Sequence, residues 1–208
     1  MATAFRRKGN RVVARLDDLE REVVIALMAQ TRDLLAAPEL APRAQEHGGD
    51  DFDELVASLG LDDAPVGTGS TGAPPPRVVA APSDPALERL LPSANREDPE
   101  AAAEFRRLTE HGLRQRKSDN LSVAIDALSA PVKDRVELDR RQAAAFVVAL
   151  VDVRLLLGDR LGLRTDEDAE ALQGYLAQAA LEDPRASMVA YYDFLTWLQE
   201  SLTQALLR

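Results

Sequence analysis

The side chains that could do chemistry are few, and their spacing gives them little to cooperate on. The two histidines, His47 and His111, stand apart from each other, and neither belongs to a metal-ligand motif. The glycines Gly67, Gly69 and Gly72 are not followed by the Lys-Ser/Thr of a phosphate-binding loop, and no serine sits in a GxSxG elbow. Paired carboxylates occur in Asp166-Glu167-Asp168, but at the start of a helix they complement its dipole. The absence of cysteine excludes disulfides, thiolate catalysis, CxxC zinc sites and thiol switches. No catalytic residue, metal site or cofactor is therefore expected, and binding is the function class left.

Charge narrows what could be bound. The 208 residues hold 35 acids against 25 Lys and Arg, a formal charge of −10, which opposes a large nucleic-acid footprint unless cations gather on one face. Two stretches do gather them. Arg6, Arg7, Lys8, Arg11 and Arg15 precede the first acid, Asp17, and Arg106, Arg107, Arg114, Arg116 and Lys117 lie along one helical segment. The second stretch is a candidate docking patch for an acidic protein surface or for DNA, to be weighed against pairing with the chain's own acids. Trp197 lies in an aromatic run with Tyr191, Tyr192 and Phe194, too many directions for one helix face to bury, so part of it is a candidate interface. Asp152, Arg154 and Arg160 read as structural ion-pairing residues. Asp152 and Arg154 stand roughly 200° apart on a helix and cannot pair with each other, and Arg154 falls on an apolar face where it needs a partner such as Glu20 or Glu104.

The elements that must position these residues are mainly helical. Residues 1–38 read as a small β-hairpin from Phe5 to Leu16, turning at Lys8-Gly9-Asn10, and a helix from about Asp17 to Ala37 stopped by Pro38. Residues 39–85 read as a flexible, disordered linker with one short helix at Asp50–Leu59, because the Gly- and Pro-rich run Asp62 to Pro82 cannot bury enough apolar surface to offset its ordering entropy. Residues 86–208 read as the helical bundle core. Its helices are Pro99 to Leu128 with Asp98 as N-cap and a kink or break around Thr109–Gly112, Leu138 to Leu161 with Asp139 as cap, Asp166 to Leu181 with Thr165 and Asp168 in capping-box spacing, and Pro184 to the C-terminus. The apolar stretch Ala143 to Leu157 is shorter than the roughly 20 residues a membrane span needs and contains Asp152 and Arg154. It reads as the central buried helix of a soluble protein.

The run from Asn95 to Glu110, with Leu113, Arg114 and Lys117, and the later Asp152-Val153-Arg154-Leu155, Leu157-Gly158 and Arg160-Leu161 resemble an actinomycete family named for the oxidative stress regulator AosR. The hairpin and first helix fit the same pattern. The resemblance implies a cytoplasmic regulator of stress transcription that contacts an alternative sigma factor of RNA polymerase and senses redox state through a close-spaced cysteine pair. With no cysteine here, thiol sensing does not transfer. The expectation is a non-catalytic, sigma-factor- or polymerase-binding regulator. The alternatives are a direct DNA binder using the Arg6–Arg15 and Arg106–Lys117 cations, and a protein-binding adaptor unrelated to transcription. The sequence leaves the oligomeric state open.

Overall fold

The computed structural model describes residues 2–36, 84–95, 97–130, 133–176 and 183–207. The expected short helix at Asp50–Leu59 and nearly all of the expected linker lie outside the described residues, as does the expected end, at Leu181, of the helix that starts at Asp166. Strands β1 (Thr3–Lys8) and β2 (Arg11–Arg15) form the hairpin, and Gly9 at φ 63° supplies the left-handed turn residue. Helix α1 (Asp18–Ala36) follows, opened by reciprocal bonds between Asp17 and Glu20, whose backbone amides donate to each other's carboxylates at 2.8 and 3.0 Å. The remaining elements are α2 (Pro85–Leu90), α3 (Pro99–Ser129), β3 (Arg135–Leu138), α4 (Arg140–Leu161), α5 (Asp166–Leu176) and α6 (Pro184–Leu207).

The caps follow local sequence. Asp98 accepts from the amides of Glu100 and Ala101, both at 3.0 Å, with Pro99 at the first helical position. Asp139 and Gln142 form a full capping box on α4, and Gly162 at φ 78° ends that helix with its amide bonded to the Asp159 carbonyl. Thr165 and Asp168 bond reciprocally before α5.

Three features differ from the sequence reading. The hairpin is extended by β3 into a three-stranded antiparallel sheet of order β1-β2-β3, so Leu138 ends a strand and α4 begins at Arg140. The four residues of β3 alternate, with Val136 and Leu138 fully buried and Arg135 and Glu137 on the other face, which is the period of a half-buried strand. The short helix α2 precedes α3 and packs on α4. The break expected near Gly112 is absent, and α3 runs continuously through it. Glu110 ion-pairs with Arg106 and Arg114, four residues to either side; the second pair spans the glycine, and together they support the helix where its propensity is weakest.

One core joins all of this. Helix α4 lies at its centre, packing on α1, α2, α3, α6 and the sheet, and Phe146, Ala149, Leu150 and Val153 are fully buried there. Leu16, Met28, Leu121, Leu128, Leu195, Leu198 and Leu202 close over them from the other elements. The N-terminal hairpin and α1 thus share the core of the bundle. Among the described residues, no helix is long and apolar enough to cross a membrane.

Candidate partner-binding surface on the third helix

The length of α3 separates two apolar stripes. Leu121 and Leu128 are fully buried against the core, with Ile125 partly buried beside them. The stripe in the N-terminal half turns the other way: Ala101 is exposed, and Phe105 and Leu108 are 52% and 66% exposed. These positions are spaced i, i+4, i+7, so they form one face. Beside them a shallow cleft runs between α3 and the segment after α2, lined by Leu91, Pro92, Ala102 and Leu113 as well as Phe105.

The α3 cations divide by direction. Arg106 is buried, with its Nε 3.6 Å from Glu110. Arg114 places Nε 2.7 Å from the same carboxylate and donates from Nη1 to the Leu35 carbonyl at 2.9 Å, tying α3 to the end of α1. Lys117 reaches Asp152 on α4 at 2.5 Å, and that carboxylate is 1% exposed. Burial pushes the Asp152 carboxyl above its ordinary value, and the Lys117 ammonium opposes the rise. Arg107 faces solvent in a two-pronged bond to Glu104 at 2.9 and 2.7 Å, which holds the Glu104 carboxyl below its usual range. Arg116 is exposed and, among the described residues, unpaired. Of the cations proposed from sequence as a partner surface, Arg106, Arg114 and Lys117 are therefore turned toward carboxylates of this chain, and Arg107 stays at the surface next to Phe105 and Leu108. Trp197 belongs to α6, which packs on α4 and β1. It is 37% exposed and stacked on Phe194 at 6.0 Å between ring centres, so it sits on a different wall of the bundle from the α3 cations.

The residues read as structural pairs fare differently from one another. Asp152 has Lys117 as its partner, and Arg160 lies 3.7 Å from Asp84 ahead of α2. Arg154 finds no carboxylate. It is half-buried and donates to the Gln199 side-chain oxygen at 2.9 Å and the Tyr192 hydroxyl at 3.2 Å, with its guanidinium 5.0 Å over the Tyr192 ring. The two acids expected for it are used elsewhere, Glu20 on the amides of Ala2 and Asp17 and Glu104 on Arg107. The physical reason is directional: this edge of α4 faces α6, which presents neutral groups there, and the side chain is only half-buried, with its Nε alone enclosed and without a partner among the described residues. Arg154→Met should accordingly cost about 1 kcal/mol, the loss of two bonds to neutral partners; a urea titration showing more than about 3 kcal/mol would restore a buried-charge role.

Sequence reasoning missed Glu110, although its position four residues from both Arg106 and Arg114 announces the bridge. It also missed Gln199 and, although Tyr192 stands in the aromatic run, the pairing of both with Arg154, which no local signal marks. Among the described residues, no group of three or more His, Asp or Glu is placed to hold a metal ion.

Fold and surface together define a helical-bundle protein with a three-stranded sheet at one side and an exposed apolar stripe on its longest helix. The chain belongs to the DUF2017 family, described as a domain of unknown function, whose family model matches residues 2–206. Comparison with curated proteins and with solved structures finds no match.

Proposed function

We propose that this protein is a non-catalytic regulator of stress-response transcription that acts by binding another protein, in the manner of the AosR-type regulators it resembles, with an alternative sigma factor of RNA polymerase as the partner. The observation that supports binding most directly is the solvent-facing stripe Ala101, Phe105 and Leu108 on α3. Large apolar side chains that stand together in water, beside a cleft and flanked by a charged pair, have the composition of an interface centre with a polar rim. Their i, i+4, i+7 spacing suits a groove or helix on the partner. Arg107 and Glu104 would then set orientation at the rim, where charges contribute more to association rate and specificity than to affinity. Without cysteine, regulation would come through partner availability, not thiol oxidation.

The test is a pair of surface substitutions read against purified sigma factors. Phe105→Asp with Leu108→Asp should leave the unfolding midpoint within a few degrees of the parent, since neither side chain is buried. It should weaken capture of the sigma factor at least about tenfold, as expected when interface anchors are lost. Undiminished capture by this variant would remove the stripe from the binding site, and failure of the parent chain to bind any sigma factor or polymerase would remove the partner class.

A further inference from the structure

The sheet presents one face to the core and one to water, and the outward face carries five cations against one acid. Strand register sets its composition: Arg6 pairs with Val13, Lys8 with Arg11, Val13 with Glu137 and Arg15 with Arg135, and directly paired residues point to the same side. Phe5, Val12, Ala14, Val136 and Leu138 fill the other side and are buried. The outer face therefore gathers Arg6, Lys8, Arg11, Arg15 and Arg135 around a single acid, Glu137, which is held by Arg135 at 2.8 Å. Among the described residues, none of Arg6, Lys8, Arg11 and Arg15 has a carboxylate partner, and all four are exposed. Asp17 and Asp134, the nearest acids in sequence, lie in the turns beyond the strand ends.

The arrangement goes against local electrostatics in two places. Lys8 stands directly opposite Arg11 and Arg15 directly opposite Arg135, and like charges in cross-strand register destabilise a sheet. Arg140 and Arg141 follow in the first turn of α4, next to the capping Asp139, whose carboxylate is engaged by the Gln142 amide. Arg140 shares a surface depression with Arg7 and Arg11, which carries the cationic surface around the hairpin tip. In a chain with ten more acids than bases, repeated repulsion at one end marks a place where function overrides local stability.

We infer that this face binds duplex DNA through its phosphate backbone. A face of cations with no aromatic side chain and only Val13 near its centre lacks the apolar core of a stable protein interface and the apolar anchors of a membrane-surface element. It also lacks the stacking platform that single strands require. Lys8 and Arg11 extend past the end of β3, so the tip of the sheet is a two-stranded ribbon, which fits the major groove of B-DNA, about 12 Å wide, but not the deep, narrow groove of duplex RNA. The contact is to phosphates, so it positions the protein without reading sequence. It is independent of the protein-partner stripe on α3.

The experiment is fluorescence anisotropy of the full chain on two unrelated 30-base-pair duplexes across a salt series. Phosphate contacts from the four unpaired cations predict a slope of log affinity against log salt of about −3.6, equal for both sequences. Lys8→Gln with Arg11→Gln should reduce the steepness by about two and weaken both duplexes alike, while the melting temperature holds or rises because a like-charge pair is relieved. Arg140→Gln with Arg141→Gln tests the same surface from a different element and should act in the same direction. No binding of the parent chain at low salt, or an unchanged slope in both variants, would overturn the inference. So would tighter binding to a single-stranded homopolymer, or retention only by polyglutamate or by vesicles rich in phosphatidylserine.

Discussion

Lys117→Met should destabilise the protein by about 3–5 kcal/mol at neutral pH, the cost of leaving a buried carboxylate without its counter-ion. Lys117 and Asp152 meet at 2.5 Å between α3 and α4, the ammonium partly open to water and the carboxylate 1% exposed. The second carboxylate oxygen of Asp152 is buried without a hydrogen bond among the described residues. The two partners are therefore not equivalent. Asp152→Asn removes the buried charge and leaves a lysine that can extend toward solvent, so it should cost only about 1–2 kcal/mol. The pH dependence has a definite sign. Burial raises the folded-state pKa of Asp152 above its ordinary value, so in the window between the two the folded state binds more protons than the unfolded chain, and stability falls as pH rises. Loss of the ammonium removes the influence that opposes this rise and widens the window. The deficit of Lys117→Met should therefore shrink as pH is lowered through it, while Asp152→Asn lacks this titration. Urea titrations of both variants across an acid-to-neutral series measure this; a Lys117→Met cost under about 1 kcal/mol at every pH would mean that Asp152 is solvated or re-paired.

What the sequence could announce was whatever is encoded within a turn or two of helix. The caps at Asp98, Asp139 and Thr165 and the starts of α3, α4, α5 and α6 are local, because a cap side chain bonds an amide two or three residues away. Helix α2 and strand β3 are six and four residues long, too short for a periodicity to emerge, and β3 exists because β2 lies beside it in space. The same division runs through the charges. The Arg106, Glu110 and Arg114 bridge is written in i, i+4 spacing, whereas Lys117 and Asp152 are 35 residues apart and Arg154 and Gln199 are 45 apart, and only packing brings them together. The N-terminal cations were visible as a cluster. That they share one sheet face, and that Arg135 joins them from the third strand, follows from register.

Phe146→Ala should cost about 3–5 kcal/mol, the range for a large aromatic removed from a core that cannot close over the gap. Phe146 on α4 is fully buried, and Phe5 of β1 meets it edge-on at 5.8 Å between ring centres with planes at 67°, a geometry that adds to simple burial. Collapse into the space is opposed from several directions, because α4 is also packed on α1, α3 and α6 and β1 is fixed to α6 by the Phe5 amide bond to the Ser201 hydroxyl at 3.2 Å. The damage should also be uneven. Phe146 joins the sheet to the bundle, so amide exchange should quicken more in β1 and β2 than in the C-terminal half of α3, where Leu121 and Leu128 pack on the core. A loosened sheet no longer holds Arg6, Lys8, Arg11 and Arg15 in one register, and the DNA contact inferred for that face should weaken in Phe146→Ala even under conditions where the chain remains folded. If denaturation instead shows a loss below about 1.5 kcal/mol with exchange unchanged in the strands, the sheet settles onto α4 as a movable layer, and the seating of the hairpin does not depend on this pair of rings.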